Sequence, residues 1–252
     1  MDIDRLQALN EKLARHRRAA WLPEVVEDDA AIVARSKFSG VPALLEMELW
    51  PRCGRCERPM QLFLQLDARD APEAAAPALD GGVLQLFYCT SSEPHCEGEC
   101  EAYLPHARST LLRLLPPAEL APEREGLIEE WSGPAAMPEG MYPAKRIVAW
   151  TPVEDLPNLE ELEGLGVELD DEDELALEDW DLPHAGEKLL GWPRWVQGVE
   201  YPVCRVCGRR MELLFQIDSS QTLPYMFGDM GIGHISQCPD HRTELAFGWA
   251  CS

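Results

Sequence analysis

Residues 38–67, FSGVPALLEMELWPRCGRCERPMQLFLQLD, align without a gap on residues 189–218, LLGWPRWVQGVEYPVCRVCGRRMELLFQID. Ten of the thirty aligned positions are identical, where unrelated stretches would share about one or two. The identical residues include turn-forming glycine and prolines, two cysteines and alternating apolar positions. The sequence therefore predicts that one supersecondary unit has been duplicated.

Each copy has a lead-in punctuated by Pro and Gly, then a Cys-x-x-Cys knuckle, then an apolar stretch of period two. MQLFLQL (60–66) and MELLFQI (211–217) alternate as half-buried strands do. Further strand-like stretches follow the same logic; they are VLQLFYC (83–89), TLLRLL (110–115), RIVAWT (146–151), IGHISQC (232–238) and LAFGWAC (245–251).

These patterns predict an α+β fold that is predominantly antiparallel β. Two duplicated zinc-knuckle/β units would pack around a pseudo-twofold, with an N-terminal helix over residues 1–20. The expected organisation is an N-terminal helical segment (1–37), a first repeat unit (38–153), an acidic linker or insert (154–188) and a second repeat unit (189–252).

The acidic tract is the most biased stretch of the chain. Residues 154–181 contain 14 Asp or Glu and no Lys or Arg, with leucines spaced through them. Such a stretch is typical of a solvated linker or surface face. The regular leucines also suit a docking surface for a basic protein, so both interpretations stay open.

The whole chain carries a formal charge of −23. Phosphate repels such a chain, which argues against nucleic acid and anionic membranes as partners and favours a basic protein. The N-terminal sequence lacks the features of a secretory signal, so we expect a cytoplasmic protein. Nine cysteines in a reducing compartment are not expected to form a disulfide framework.

The cysteine spacing instead predicts two metal sites. A two-residue gap lets both thiolates of a knuckle face one ion, and a second pair arrives from a distant strand end. Four protein ligands per ion indicate two structural zinc ions. The predicted ligands are Cys53, Cys56, Cys89 and Cys96 for the first ion, and Cys204, Cys207, Cys238 and His241 for the second.

Alternatives to this ligand assignment stay open. Cys100 could replace Cys96 or Cys89, and Cys251 could replace His241. Redox chemistry is disfavoured, because a redox Cys-x-x-Cys lies between a strand and a helix. Buried reduced cysteines are the remaining possibility.

Motifs for catalysis are missing from the sequence, which contains no phosphate-binding loop, nucleophile elbow or zinc-protease motif. The histidines outside the predicted ligand set are scattered, so we predict no catalytic residues. Trp192-Pro193-Arg194-Trp195, beside the second knuckle, is either core and turn or the rim of a peptide-binding site.

The stretches EKLLGWPRWVQGVEYPVCRVCGRRMELLFQID (187–218), MFGDMGIGHISQCPDH (226–241) and LAFGWACS (245–252) resemble the bacterial YwqG-like family. CGRCERPMQLFLQLD (53–67) and LQLFYCTSSEPHC (84–96) also resemble the related eukaryotic programmed cell death protein two. The resemblance places the seven predicted cysteine ligands on family cysteine positions and His241 in a Cys-Pro-x-His element. A cysteine-rich insertion of the eukaryotic branch is absent here.

The resemblance implies no established enzymatic activity. It implies instead a chaperone for a basic ribosomal protein, as in the eukaryotic branch, or an immunity protein against a toxin, as proposed for the bacterial one. We therefore predict a zinc-binding, non-enzymatic cytoplasmic protein that binds a ribosomal protein or cationic toxin. The alternative is an enzyme with a cleft between the two repeats.

Overall fold

The computed structural model describes residues 3–27, 35–45, 48–116, 137–178, 180, 183–219 and 222–252. These ranges contain ten strands, which are β1 (Arg18–Glu27), β2 (Lys37–Phe38), β3 (Gln61–Asp67), β4 (Val83–Tyr88), β5 (Thr110–Leu115), β6 (Lys145–Asp155), β7 (Lys188–Leu190), β8 (Glu212–Asp218), β9 (Ile232–Gln237) and β10 (Leu245–Ala250). They form one antiparallel sheet in the order β10-β9-β8-β7-β1-β6-β2-β3-β4-β5.

Helices are few and short in the described residues. They are α1 (Ile3–Leu13), α2 (Cys96–Glu99), α3 (Leu159–Gly164) and α4 (Asp171–Glu178), with 3₁₀ turns at Ala14–His16 and Ala76–Leu79. The expectation of a predominantly antiparallel β fold with an N-terminal helix is thus confirmed. None of the described helices is long and apolar enough to cross a membrane.

The long strands β1 and β6 pair in the middle of the sheet. They separate a first half, β2–β5, from a second half, β7–β10. The sheet curls until its end strands β5 and β10 come into contact. Near this junction the backbone N–H of Trp249 donates to the Tyr103 carbonyl at 3.1 Å, so the sheet is nearly closed.

Aromatic side chains from both halves fill the space inside the curled sheet. Phe63 stacks on Tyr88 with ring centroids 4.9 Å apart, and Phe227 meets Tyr88 edge-on at 5.8 Å. Phe38 and Phe215 are fully buried in the same cluster. Because these rings come from both halves, one apolar core holds the sheet together.

Residues at the offset of the sequence repeat make matching contacts in the two halves. Gln65 Oε1 accepts from Ala43 N at 2.8 Å, and Gln216 Oε1 accepts from Arg194 N at 2.8 Å. A bulge interrupts the pairing of β3 with β4, and another interrupts the pairing of β8 with β9. The aligned sequences therefore adopt the same local structure.

The expectation that the knuckle strands are half-buried is wrong for β3, whose seven residues are all buried. Its polar positions face protein groups instead of water. Gln61 donates to the Gly140 carbonyl at 3.2 Å, and Gln65 donates to the Arg35 carbonyl at 2.8 Å. Loops thus cover the face that alternation assigns to solvent, and each buried amide is hydrogen-bonded.

The N-terminal segment differs from the helix predicted over residues 1–20. α1 ends at Leu13, and the chain then enters β1 at Arg18. β1 pairs with β6 from Arg18 opposite Asp155 to Glu27 opposite Lys145. The segment 1–37 therefore contributes a central strand of the sheet as well as a helix.

The acidic tract folds into α3 and α4 and packs against α1. Its apolar residues form a second buried cluster with Leu9 and Leu13; they are Leu156, Leu162, Val167, Ala176 and Leu177. Arg5 lies 2.7 Å from Glu172, and Lys12 lies 3.1 Å from Asp173. The described part of the tract is thus a folded layer with an acidic surface face, the second form of the first interpretation, and not a solvated linker.

A buried ion pair fixes this layer's connection to the sheet. Lys188 Nζ lies 2.8 Å from Asp155 Oδ2, and both side chains are fully buried. Asp155 also accepts from the backbone N–H groups of His184 and Trp192, at 2.9 and 2.8 Å. The carboxylate therefore ties the end of β6 to β7 and to the lead-in of the second knuckle.

Candidate metal centres

The first knuckle is a tight turn that points its sulfurs at one spot. Cys53 N donates to the Arg58 carbonyl at 2.9 Å, and Glu57 N donates to the Cys53 carbonyl at 3.0 Å. Arg55 N lies 3.4 Å from Cys53 Sγ. The backbone therefore closes around Cys53 and brings one N–H group, that of Arg55, to its sulfur.

The second pair of cysteines comes from the end of β4 and the start of α2. Cys89 follows the last residue of β4, and Cys96 is the first residue of α2. The Sγ atoms of Cys56 and Cys89 are 3.6 Å apart, and those of Cys53 and Cys96 are 4.0 Å apart. We call these four residues group one.

The second knuckle has the same turn. Cys204 N donates to the Arg209 carbonyl at 2.8 Å, and Val206 N lies 3.4 Å from Cys204 Sγ. Gly208, at φ +71°, occupies the position that Glu57 fills at φ +62° in the first knuckle. The left-handed backbone at this position is required by the turn in both copies.

Group two is completed by a cysteine and a histidine after β9. His241 Nδ1 lies 3.7 Å from Cys238 Sγ and 3.9 Å from Cys204 Sγ. The Sγ atoms of Cys207 and Cys238 are 3.7 Å apart. The structure thus brings the eight predicted residues together in two groups of four.

Both groups have the dimensions of a four-coordinate metal site. The ligand atoms of each group lie within 4.8 Å of one another. A tetrahedral zinc with Zn–S bonds of about 2.3 Å would hold its sulfurs about 3.8 Å apart. The observed separations of 3.6 to 4.0 Å fit this geometry, so each group could hold a metal ion.

Disulfides do not explain these clusters. All nine cysteines lie in the described ranges and are free thiols. The sulfurs of Cys56 and Cys89, for example, are 3.6 Å apart, whereas a disulfide bond is about 2.05 Å long.

Electrostatics also favours a cation in each group. Burial raises the pKa of Cys89 to about 12, and burial together with the neighbouring thiols raises the pKa of Cys96. Burial opposes ionisation of Cys204 too, but backbone donors from Cys207 and Val206 lower its pKa to about 7. Neighbouring thiolates repel one another, and a coordinated metal ion offsets that repulsion.

The two alternative ligands lie outside both groups. Cys100 follows α2 and donates its backbone N–H to the Cys96 carbonyl at 3.2 Å. Cys251 follows β10, whose residue Ala250 pairs with Ile232 at the far end of β9 from Cys238. Cys251 Sγ instead approaches Gly228.

One buried residue was missed by sequence reasoning, which treated it as one scattered histidine among several. His234 lies in the middle of β9 and pairs with Gly248 of β10. The alternation of IGHISQ is the only sequence signal that could have placed its ring inside, and the same signal assigned the glutamines of β3 to solvent.

Comparison with known proteins gives one family match. The family model described as Domain of unknown function (DUF1963) matches residues 36–240. The matched range contains both knuckles and ends one residue before His241. No curated protein matches the chain.

Proposed function

The chain belongs to the family described as Domain of unknown function (DUF1963), and within that family we propose a zinc-binding, non-enzymatic protein that binds a basic protein partner. The observation that carries the proposal is the pair of four-residue groups, whose ligand atoms each lie within 4.8 Å of one another. Thiolate and imidazole ligands in a tetrahedral set suit zinc.

The zinc ions would be structural. A catalytic zinc keeps a coordination position for water, whereas each group here supplies four protein ligands. Each ion would join a knuckle to the end of a distant strand, β4 or β9. The matching turns, bulges and ligand groups support duplication of one zinc-knuckle/β unit, and thiolate ligands suit a reducing compartment such as the cytoplasm.

Metal analysis of the purified protein tests the zinc sites. We expect two zinc ions per chain by elemental analysis, and one in the variant Cys207→Ser. Cys100→Ser is the matched control, because Cys100 lies outside both groups, and it should retain two. Less than one zinc per wild-type chain would contradict the proposal.

Surface charge supports the basic partner. The chain has a formal charge of −23, and the α3–α4 layer presents exposed carboxylates at Glu160, Glu163 and Glu168. Because this layer is folded against α1, its charges are held in place and can steer a cationic protein. On the second knuckle, Val203 and Val206 are 58% and 62% exposed, so their side chains are available for apolar contact with a partner.

The resemblance to the YwqG-like family and to programmed cell death protein two supports the same class of partner, a basic ribosomal protein or a cationic toxin. Co-purification from native cells at low and high salt tests it. We expect a basic protein that dissociates at high salt, because surface charge interactions are screened. Recovery of no basic protein at low salt would contradict the proposal.

A variant with fewer charges tests whether the α3–α4 layer is the surface that attracts the partner. Glu160→Gln, Glu163→Gln and Glu168→Gln together should weaken partner binding and flatten its salt dependence. The control replaces three exposed acids outside the tract, Glu73→Gln, Glu139→Gln and Glu212→Gln, with the same change in net charge. Equal weakening by both sets would show that net charge, and not the α3–α4 layer, attracts the partner.

A further inference from the structure

A small cleft opens where the two ends of the sheet meet. Its cavity volume is about 40 Å³, which corresponds to roughly three water molecules. The segment before β5 forms one wall, and β9, β10 and the lead-in of the second knuckle form the others. The side chains that matter for its chemistry are Tyr103, Trp195, Glu200, His234 and Trp249.

His234 lies against this cleft with a free ring nitrogen. The residue is 7% exposed, and its buried Nε2 has no hydrogen-bond partner among the described residues. Burial, with a smaller contribution from the Lys188 charge, lowers the pKa of His234 to about 3, against a hydrogen bond with the Arg194 backbone that raises it. The ring is therefore neutral at physiological pH.

The hydrogen bond to the backbone of Arg194 defines the role of the other nitrogen. A neutral imidazole that donates from one nitrogen has an unprotonated acceptor at the other. Nε2 is thus a buried acceptor on a residue that lines the cleft, and a buried acceptor without a partner is unfavourable. This arrangement is suited to a ligand that brings an N–H group.

The walls of the cleft are aromatic and held rigidly. Trp195 lies 4.9 Å from the His234 ring, centroid to centroid, and its indole N–H donates to Glu161 at 3.2 Å. Trp249 meets Tyr103 edge-on with centroids 5.9 Å apart. Aromatic faces attract cations through the ring quadrupole.

Charge completes the preference for a cation. Glu200 lines the cleft and is exposed, so its carboxylate stands at the entrance. A planar guanidinium can stack on an indole while its N–H groups reach a carboxylate and a neutral acceptor together. A lysine ammonium is a compact, strongly hydrated point charge, so it is less suited than a guanidinium to stacking in this cleft.

We propose that this cleft binds the side chain of an arginine on the basic protein partner. The guanidinium stacks on an aromatic side chain of the cleft wall, donates to His234 Nε2 and pairs with Glu200. The source of the arginine rests on the proposed function, whereas the recognition of a guanidinium by the cleft does not.

Tryptophan fluorescence of the full-length, zinc-loaded protein tests the cleft, because Trp195 and Trp249 line it. The probe is N-acetyl-arginine methylamide, and N-acetyl-citrulline methylamide is its uncharged isostere. We expect a saturable change with arginine and at least tenfold weaker binding of citrulline. No saturable change with arginine, or equal affinity for the two probes, overturns the proposal.

Two variants locate the binding. Glu200→Gln, at an exposed position, should weaken arginine binding severalfold, and His234→Phe should weaken it further because it replaces the imidazole acceptor with an apolar ring. Glu212→Gln is the control, because Glu212 is an exposed acid outside the cleft. Unchanged affinity in Glu200→Gln overturns the assignment even if His234→Phe fails to fold.

The test of the cleft and the test of the basic partner can give different results. If the arginine probe binds in the cleft but no basic protein co-purifies, the cleft stands and the proposed partner is wrong. If a basic protein binds but the arginine probe does not, only the cleft assignment falls.

Discussion

Glu97, the neighbour of Cys96 in group one, accepts a hydrogen bond from the phenol of Tyr225, 128 residues further along the chain. The other oxygen of the same carboxylate lies 3.2 Å from Gly228 N. The loop that supplies a predicted metal ligand to the first half is therefore anchored on the second half. This contact links metal binding at group one to the packing of the whole sheet.

Removing the phenol should measure that link. We expect Tyr225→Phe to lower the free energy of unfolding by about 1.5–3 kcal/mol, because the hydrogen bond is made to a partly buried carboxylate. Urea denaturation of the zinc-loaded protein provides the measurement. Tyr103→Phe is the control, since Tyr103 is 41% exposed, and equal midpoints for both variants would show that the contact contributes nothing.

Acid should destabilise the protein partly through His234. Burial lowers the pKa of His234 to about 3 from an ordinary 6.5, so between these values the unfolded chain binds more protons than the folded one. The stability contributed by the neutral ring is therefore present above pH 6.5 and lost as the pH falls. Between pH 7 and pH 5 the expected loss is about 2 kcal/mol.

The variant His234→Gln isolates this contribution from the protonation of thiols. Glutamine is uncharged throughout the range, so the variant should lose about 2 kcal/mol less than the wild type between pH 7 and pH 5. Chemical denaturation at each pH gives both values. Parallel pH profiles for the two proteins would mean that the His234 ring ionises normally in the folded state.

The strand-like stretches quoted from the sequence correspond to seven of the ten described strands, and β1, β2 and β7 were missed. The knuckle strand MQLFLQL and the structure's β3 agree within one residue at each end. β1 was missed because the helix predicted over residues 1–20 overlaps its first three residues, and because it contains Pro23, which cannot donate to a ladder. β2 and β7 have only two and three residues, too few for a periodic signal.

The metal ligands could be predicted from local sequence patterns, whereas the cleft could not. Cys-x-x-Cys spacing is local, so the sequence could pair Cys53 with Cys56 and Cys204 with Cys207 before any fold was known. The cleft at His234 exists because the curled sheet brings Tyr103 beside Trp249, residues with no periodic relation in sequence. Such a site depends on closure of the sheet, which local patterns do not encode.

The two knuckles differ at one strained position, and exchanging it should reveal the strain. Glu57 has φ +62° where the second knuckle has Gly208 at φ +71°. Left-handed backbone is unfavourable for residues with a Cβ and free for glycine. We expect Glu57→Gly to leave stability unchanged or raise it by up to about 1 kcal/mol, even though glycine adds entropy to the unfolded chain.

The reciprocal change provides the comparison. Gly208→Ala should destabilise the protein by about 1 kcal/mol, and this loss must come from backbone strain, because a Cβ at Gly208 would meet no atom within 4 Å. Thermal unfolding of the zinc-loaded variants measures both. A stabilising Gly208→Ala would contradict the requirement for left-handed backbone in the turn.

Removal of metal should proceed in two steps, with group two losing its ion first. Cys207 is exposed, whereas Cys53, Cys89 and Cys96 of group one are all buried. A chelator reaches an exposed thiolate directly, but it reaches group one only after the α2 loop has released the Glu97 contact with Tyr225.

Stopped-flow mixing with a chromogenic zinc chelator should show a fast and a slow phase of equal amplitude. Cys207→Ser should abolish the fast phase, and Tyr225→Phe should accelerate the slow one. A single phase in the wild type, or a slow phase insensitive to Tyr225→Phe, would show that the two groups are equally protected and that the α2 anchor does not control metal release.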